Sequence, residues 1–191
     1  MKVEKCLVDA NWGQSTDVVY QFCRESAFAN VIIPSHGKYI GASSKPMSEY
    51  KKAVGDRVGH NWRMPNIRGK RAVRHVVFDT NHWKSFIASR LLESMGDRGS
   101  LSLWGRSSEA HMLFAEHLTA EYRVKTEGRG RRVEERKMRP EGADNHWWDG
   151  LVGCAVAASM VGCVLAGTDA HAREKPKVRV KLSDLRRFRD R

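Results

Sequence analysis

Apolar and polar positions along this chain keep two rhythms, one of period two and one of period near 3.6. Residues 3–10 (VEKCLVDA) end in strand-forming side chains and predict a first strand, central in its sheet because it is apolar on both faces near its end. Ser15-Thr16-Asp17 supplies N-cap chemistry, and Val18, Val19, Phe22 and Cys23 follow at helical spacing. Residues 30–33 (NVII) predict a second short strand, stopped by Pro34. From 34 to 70 the punctuation by Pro34, Gly37, Gly41, Pro46, Gly55, Gly59, Pro65 and Gly69 predicts a long irregular excursion that carries Lys and Arg to the surface. Residues 71–78 return as a strand, and a helix follows from Asn81 to about Met95, with Trp83, Phe86, Ile87, Leu91 and Met95 as its apolar stripe. Residues 100–104 (SLSLW) alternate as a strand does, and Ser107-Ser108-Glu109 opens a helix through Ala120 with Met112, Leu113, Ala115 and Leu118 inward.

Residues 121–125 and 131–138 flank Gly128-Arg129-Gly130, the pattern of a basic β-hairpin. Asp144 is placed to cap a last helix, rich in small residues and running to about Leu165. Alternating strands and helices predict an α/β fold: a three-layer domain over residues 1–167, with a central mixed sheet flanked by helices. The polar, charged stretch 168–191 is expected to be a basic C-terminal tail.

At 191 residues the chain is long enough for one domain with a full core. Lys and Arg number 34 against 22 Asp and Glu, a net charge of +12 that favours polyanionic partners, of which a phosphate backbone is the commonest. The excess is concentrated in residues 51–74, 122–139 and 168–191, leaving a less basic, carboxylate-bearing remainder. That distribution suits a nucleic-acid groove around a metal site. Cys6, Cys23, Cys154 and Cys163 form no CxxC pair and are expected to be buried free thiols. The apolar run from Leu151 to Ala166 falls short of the roughly 20 residues of a spanning helix, so no membrane partner is expected. The start, Met1-Lys2-Val3-Glu4-Lys5, does not read as a secretory leader.

Three aspartates stand where metal-dependent phosphodiester chemistry would want carboxylates. Asp9 and Asp79 each end a strand-like run, and Asp149 lies in the first turns of the last helix. Carboxylate oxygens suit Mg²⁺ and Mn²⁺, and two ions about 3.5–4 Å apart can clamp both oxygens of an in-line displacement. Each residue also has a plainer use. Asp9 could start a turn with Asn11 and Gly13, Asp79 could cap the helix after it, and Asp149 could complement a helix N-terminus. Lys84 could hold a scissile phosphate or orient a water, or sit on a solvated helix face. His146 could donate to a phosphate or bond to Asp149, and Asp144 lies beside it. Arg129, Arg131 and Arg132 at the hairpin turn are candidates for tracking a DNA backbone.

Several patterns in order resemble the nuclease domain of the large terminase subunit of tailed bacteriophages, in its lambda-like branch. They are Asp9 with Val19-Tyr20-Gln21-Phe22-Cys23-Arg24, Asp79 with Lys84, Leu118-Thr119-Ala120-Glu121, and Asn145-His146-Trp147-Trp148-Asp149 before an alanine-rich helix. The resemblance spans residues 5–160. It implies a ribonuclease H-like fold and metal-dependent cutting of double-stranded DNA during viral genome packaging, in the host cytoplasm. It also implies two Mg²⁺ or Mn²⁺ ions on Asp9, Asp79 and Asp149. The partners implied are DNA, the terminase ATPase domain, the small terminase subunit and the portal. Two departures stand out: His146 replaces the family's glutamate, and neither Gly37-Lys38-Tyr39 nor the stretch from Gly41 to Lys45 forms a P-loop. They keep two alternatives open, a catalytically inactive basic DNA-binding or assembly module and a cellular resolvase or repair nuclease of the same fold.

Overall fold

The computed structural model describes residues 2–67, 73–105, 107–141 and 144–163. The predicted tail from 168 onward lies outside the described residues. Strand β1 (Cys6–Asp9) leads through a short 3-10 turn into helix α1 (Thr16–Glu25). Strands β2 (Ile32–Lys38), β3 (Arg57–Gly59), β4 (Trp62–Met64) and β5 (Val76–Asp79) follow, and helix α2 (Thr80–Leu92) begins directly where β5 stops. Helix α3 (Met112–Thr119), the ribbon β6 (Glu121–Gly128) and β7 (Arg131–Met138), and helix α4 (His146–Met160) complete the described elements.

Five strands form one mixed sheet in the order β1-β2-β5-β4-β3, with β1, β2 and β5 parallel and the β3–β4 hairpin antiparallel. The flanked α/β architecture expected from the sequence is present and is consistent with a ribonuclease H-like fold. The position of β1 is a correction: it is an edge strand of this sheet, not a central one. Pro34 is a second correction, since it does not stop β2. Its register partner is Val8 of β1, and pairing with β5 begins only at Ser35, one residue past the imino nitrogen that cannot donate. The excursion is also more ordered than its punctuation implied, because β3 and β4 lie within it and turn at Asn61, whose φ is +50°.

Two faces of the sheet are covered. On one, Leu7, Ile33, Val76, Phe78, Trp62 and Met64 meet Trp83 and Ile87 of α2 and Trp148, Val152, Val156 and Met160 of α4. On the other, Val8, Ile32 and Ala10 meet Val19, Tyr20 and Cys23 of α1. The small residues of α4 serve this packing, Ala155 and Ala157 both being buried. Other expectations fail for want of a partner. Residues 100–104 alternate as a strand would, yet they pair with no strand among the described residues; Leu101 donates its N–H to the Arg90 carbonyl and Trp104 is almost fully exposed. Met112 and Leu113 face outward, Met95 lies beyond α2 and is exposed, and of the cysteines only Cys23 is buried. Asn145, not Asp144, occupies the N-cap position of the last helix, without a side-chain capping bond, and the helix ends at Met160, short of the expected Leu165.

The β6–β7 ribbon is a separate two-stranded sheet, as the hairpin pattern predicted, with Arg129 and Gly130 both at positive φ in its turn. Glu135 fastens it to the loop after β2, accepting from Tyr39 Oη at 2.5 Å, Ala42 N at 3.1 Å and Thr126 Oγ1 at 2.7 Å. Burial and that bond to Glu135 push the Tyr39 hydroxyl up to about 12. Gly128 permits the approach, since a Cβ there would lie 3.0 Å from Ser43 N. Asn81 links ribbon and loop to α2 through Ile40 O and Arg136 N.

Truncating Trp83 at the centre of the main core, where it is 0% exposed, is expected to cost about 3–5 kcal/mol in urea unfolding, whereas Trp104→Ala should shift stability by under about 0.5 kcal/mol.

Candidate active site

Sheet register decides which strand-end carboxylates share a face. Asp9 is paired with Ser35 of β2, and Ser35 is paired with Val76 of β5, whose side chain lies in the core under α2 and α4. Side chains at paired positions of parallel strands share a face and alternate along each strand, so Asp9 falls on the α2/α4 side. Asp79 is paired with Lys38, three positions beyond Ser35, and therefore falls on the opposite side. The intervening strand separates the two by about 10 Å across the sheet. Among the described residues, no group of three or more His, Cys, Asp or Glu side chains is arranged to hold a metal ion.

Asp9 is exposed at the end of β1 and accepts the Asn11 N–H at 3.0 Å. Asn11 in turn donates to the Gly37 carbonyl at 2.8 Å and shares a 2.8 Å contact through its Oδ1 with His36 Nδ1. His36 Nε2 lies 2.8 Å from the Tyr20 hydroxyl. Burial holds His36 below its ordinary value, with the negative charge of Asp9 acting against that shift. For a neutral ring this geometry places the proton on Nδ1, donating to Asn11, and leaves Nε2 to accept from Tyr20. The loop that presents Asp9 is thus tied to β2 and α1.

Asp79 is buried and caps α2, accepting the His82 N–H at 3.1 Å. Burial raises its pKa, against the lowering effect of the His82 and Asn81 N–H groups and the nearby Arg131.

Asp149 belongs to a different cluster. Its Oδ1 lies 2.8 Å from Lys84 Nζ, and the same ammonium donates to Glu121 Oε1 at 2.5 Å. Glu121 Oε1 also accepts from Asn145 Nδ2 at 2.6 Å. Lys84 and Glu121 are buried, while the Asp149 side chain is 54% exposed. Lysine almost never goes inside unless it is paired, and here α2, β6 and α4 each contribute to its surroundings. The cluster holds two carboxylates and one ammonium, so it carries a formal charge of −1 at a point open to solvent through Asp149.

At the level of sequence Glu121 has no role beyond its place in a family pattern. The signal available was an acidic residue opening a strand whose other charged residues are Arg123, Lys125 and Glu127. His146 and Asp144 lie apart from this cluster: both are exposed, and His146 Nε2 is 3.6 Å from Asp144 Oδ1. Trp148 is the buried anchor of α4, whereas Trp147 is half-exposed and stacks on His117 at 5.2 Å between ring centres.

The ribbon arginines divide by position. Arg131 Nη2 donates to the carbonyls of Gly41, Ala42 and Ser44, which commits it to holding the loop. Arg132 pairs with Glu127 at 2.5 Å on the exposed face. Arg129 occupies the turn itself. Exposed cations also occur at Lys38, Lys45, Lys51, Lys52 and Arg57, in and after β2.

A family model for the endonuclease domain of the terminase large subunit gpA matches residues 1–169. Nothing among curated proteins or solved structures matches the chain. A match of that extent covers every described element, and it accords with the mixed sheet and the flanking helices: the chain belongs to the terminase large subunit gpA endonuclease-domain family.

Proposed function

We propose that the domain cuts double-stranded DNA during genome packaging by divalent-metal-dependent phosphodiester hydrolysis, with Asp149 and Asp9 as the metal-binding carboxylates and Lys84 beside them. The observation that carries this is the half-exposed Asp149 carboxylate held against a buried lysine at the N-terminal end of α4. Oxygen donors suit Mg²⁺ or Mn²⁺, and Mg²⁺ is commonly held by one or two carboxylates together with substrate phosphates, so a protein cage of three ligands is not required. Asp149 and Asp9 supply such donors: one heads α4, and the other ends β1 on the sheet face that α4 covers. When bound, a divalent cation supplies charge neutralisation at the scissile phosphate and a more acidic water.

The chain's own groups do the rest. Lys84 orients Asp149 and offers positive charge toward a phosphate that approaches it. The Asn11–His36–Tyr20 chain fixes the loop bearing Asp9. Arg129 and the exposed Lys45, Lys51, Lys52 and Arg57 would meet the DNA backbone, which carries no sequence information. Family membership brings DNA and the packaging motor as partners in general. The ATPase domain, the small terminase subunit and the portal are the components proposed to adjoin this domain. The arrangement with two ions sharing Asp79 would require that residue to leave its helix cap, so this reading leaves Asp79 structural.

Plasmid nicking in Mn²⁺ separates these roles. Asp149→Ala and Asp9→Ala are each expected to lose about a hundredfold or more in rate, on the scale of removing a group that acts at the reacting centre. Asp79→Asn should keep at least half the parent rate. An inactive, folded Asp79→Asn protein would restore Asp79 to the metal site. A parent protein that binds DNA and never cuts it would leave the binding-module alternative.

Asp79 also carries a pH signature. Its folded pKa lies above the unfolded value of about 3.9, so the stability tied to its neutral form is complete below that value and is lost as pH rises through the folded one. Asparagine caps helices as well as aspartate does and carries no charge to desolvate. Asp79→Asn is therefore expected to melt at or above the parent temperature at pH 7, with the difference closing near pH 4. Asp79→Ala should fall below Asp79→Asn by about 1 kcal/mol.

A further inference from the structure

Glu121 and Lys84 form a buried pair whose hydrogen bonding is lopsided. A carboxylate that serves only to fill and neutralise an interior site has reason to satisfy both oxygens, because an unpartnered buried acceptor costs about 1–3 kcal/mol. Glu121 instead loads one oxygen. Oε1 takes Lys84 Nζ at 2.5 Å and Asn145 Nδ2 at 2.6 Å, while the buried Oε2 has no hydrogen-bond partner among the described residues. Both donors that Oε1 receives lead to Asp149. Lys84 contacts Asp149 at 2.8 Å, and Asn145 precedes it by four residues on α4, its carbonyl accepting the Asp149 N–H at 3.0 Å.

The lysine side chain has four rotatable bonds and, left in solvent, would spread its ammonium over many positions. Here α2 brings its stem in from one side, β6 sets Glu121 at its first residue, and Asn145 sits at the N-cap position of α4. The ammonium has three donors, of which Glu121 and Asp149 take two. Asp149 alone could not hold it, since its own side chain is half in water, where an ion pair of this kind contributes little. The buried end of the pair is therefore what fixes the exposed end.

From this arrangement we infer that Glu121 is a positioning residue for DNA cleavage: it holds the Lys84 ammonium against Asp149, so that the lysine and the carboxylate meet the scissile phosphate as one preset unit. Glu121 itself touches no substrate. Its effect on the chemical step passes through Lys84, and its effect on DNA affinity is small. The inference rests on the proposal that Asp149 lies in the cutting site.

The test measures single-turnover cleavage of a plasmid in Mn²⁺, DNA affinity by titration, and thermal unfolding for each variant of the full chain. Glu121→Ala is expected to cleave about tenfold or more slowly with DNA affinity within about twofold, the pattern of an interaction made at the chemical step and not in binding. Glu121→Gln, whose amide oxygen still accepts from Lys84 and Asn145, should recover most of that loss. Should Glu121→Ala fail to fold, Glu121→Gln and the paired variant Lys84→Met/Glu121→Gln carry the test. The pair removes both buried charges together and should melt near the parent, while cleaving far more slowly than Glu121→Gln. The inference is overturned by a Glu121→Ala protein at the parent rate, by Glu121→Gln being no faster than a folded Glu121→Ala, or by Lys84→Met/Glu121→Gln matching Glu121→Gln. Asp149→Ala, run beside them, keeps the two ideas apart. If it cuts at the parent rate, the site assignment has failed; if it is inactive while a folded Glu121→Ala cuts at the parent rate, only the role of Glu121 has.

Discussion

A single ammonium, that of Lys84, is where helix α2, the first residue of β6 and the N-terminal turn of α4 are forced to agree. Two charges taken out of water cost several kcal/mol each unless their geometry is good, and removing one partner of a buried pair commonly costs about 3–5 kcal/mol. The domain therefore cannot let α4 drift along α2 without leaving Lys84 or Glu121 uncompensated. Apolar packing of Trp148, Val152 and Val156 brings α4 to the sheet, but such contacts tolerate sliding. The ion pair and the Asn145 bond set the register. Fixing α4 in register fixes Asp149, four residues beyond its cap, and that is how a stability constraint becomes a site constraint.

The sheet imposes the second constraint. In a parallel sheet the strand ends lie along one edge, which makes every strand-terminal aspartate a candidate ligand when only the sequence is read. Pleating then divides them. Asp9 and Asp79 differ by an odd number of positions along β2, three, and so face opposite layers. Asp79 spends its acceptor on the first turn of α2, and burial raises its pKa, as expected for a carboxylate that serves the backbone. Asp9 stays exposed, and its loop is braced by His36, whose two ring nitrogens meet Asn11 and Tyr20.

What could be read in the sequence was governed by how local the cause is. The strand–aspartate–helix unit around Asp79, the β6–β7 hairpin and the buried small-residue helix depend on residues close together, and all three are present. The edge position of β1, the passage of β2 through Pro34 and the failure of residues 100–104 to form a strand depend on which neighbour supplies or withholds hydrogen bonds. Period-two alternation records a surface suited to pairing and says nothing of whether a partner exists. Met112 and Leu113 were misplaced because the helix they open is short and only its later residues, such as Leu118, reach the core. Glu121 was legible as a residue and not as a role: an acid that opens a strand of mixed charge reads as a solvated edge until Lys84, 37 positions away, is placed beside it.

Charge shows the same gap between composition and position. Arginine was expected to mark the DNA-tracking ribbon, yet much of its charge is answered at home. Arg131 is held by three carbonyls, Arg132 by Glu127, Arg123 by Glu134 at 3.0 Å, and Arg136 lies 5.9 Å from the Trp148 ring centre. A guanidinium already engaged by backbone carbonyls must give up those bonds to take a phosphate, and here the exchange would release the loop that carries Ala42 and Ser44. A surface lysine gives up only water and counterions, which is the favourable part of phosphate binding. Under the proposed function the exposed lysines at 45, 51 and 52 would therefore meet a duplex more readily than most of the ribbon, and they lie in the excursion between β2 and β3, next to the loop that Arg131 and Glu135 fasten. Under the proposed function the ribbon's part is then to hold that loop in shape, with Arg129 at its turn as the ribbon arginine that would meet the backbone.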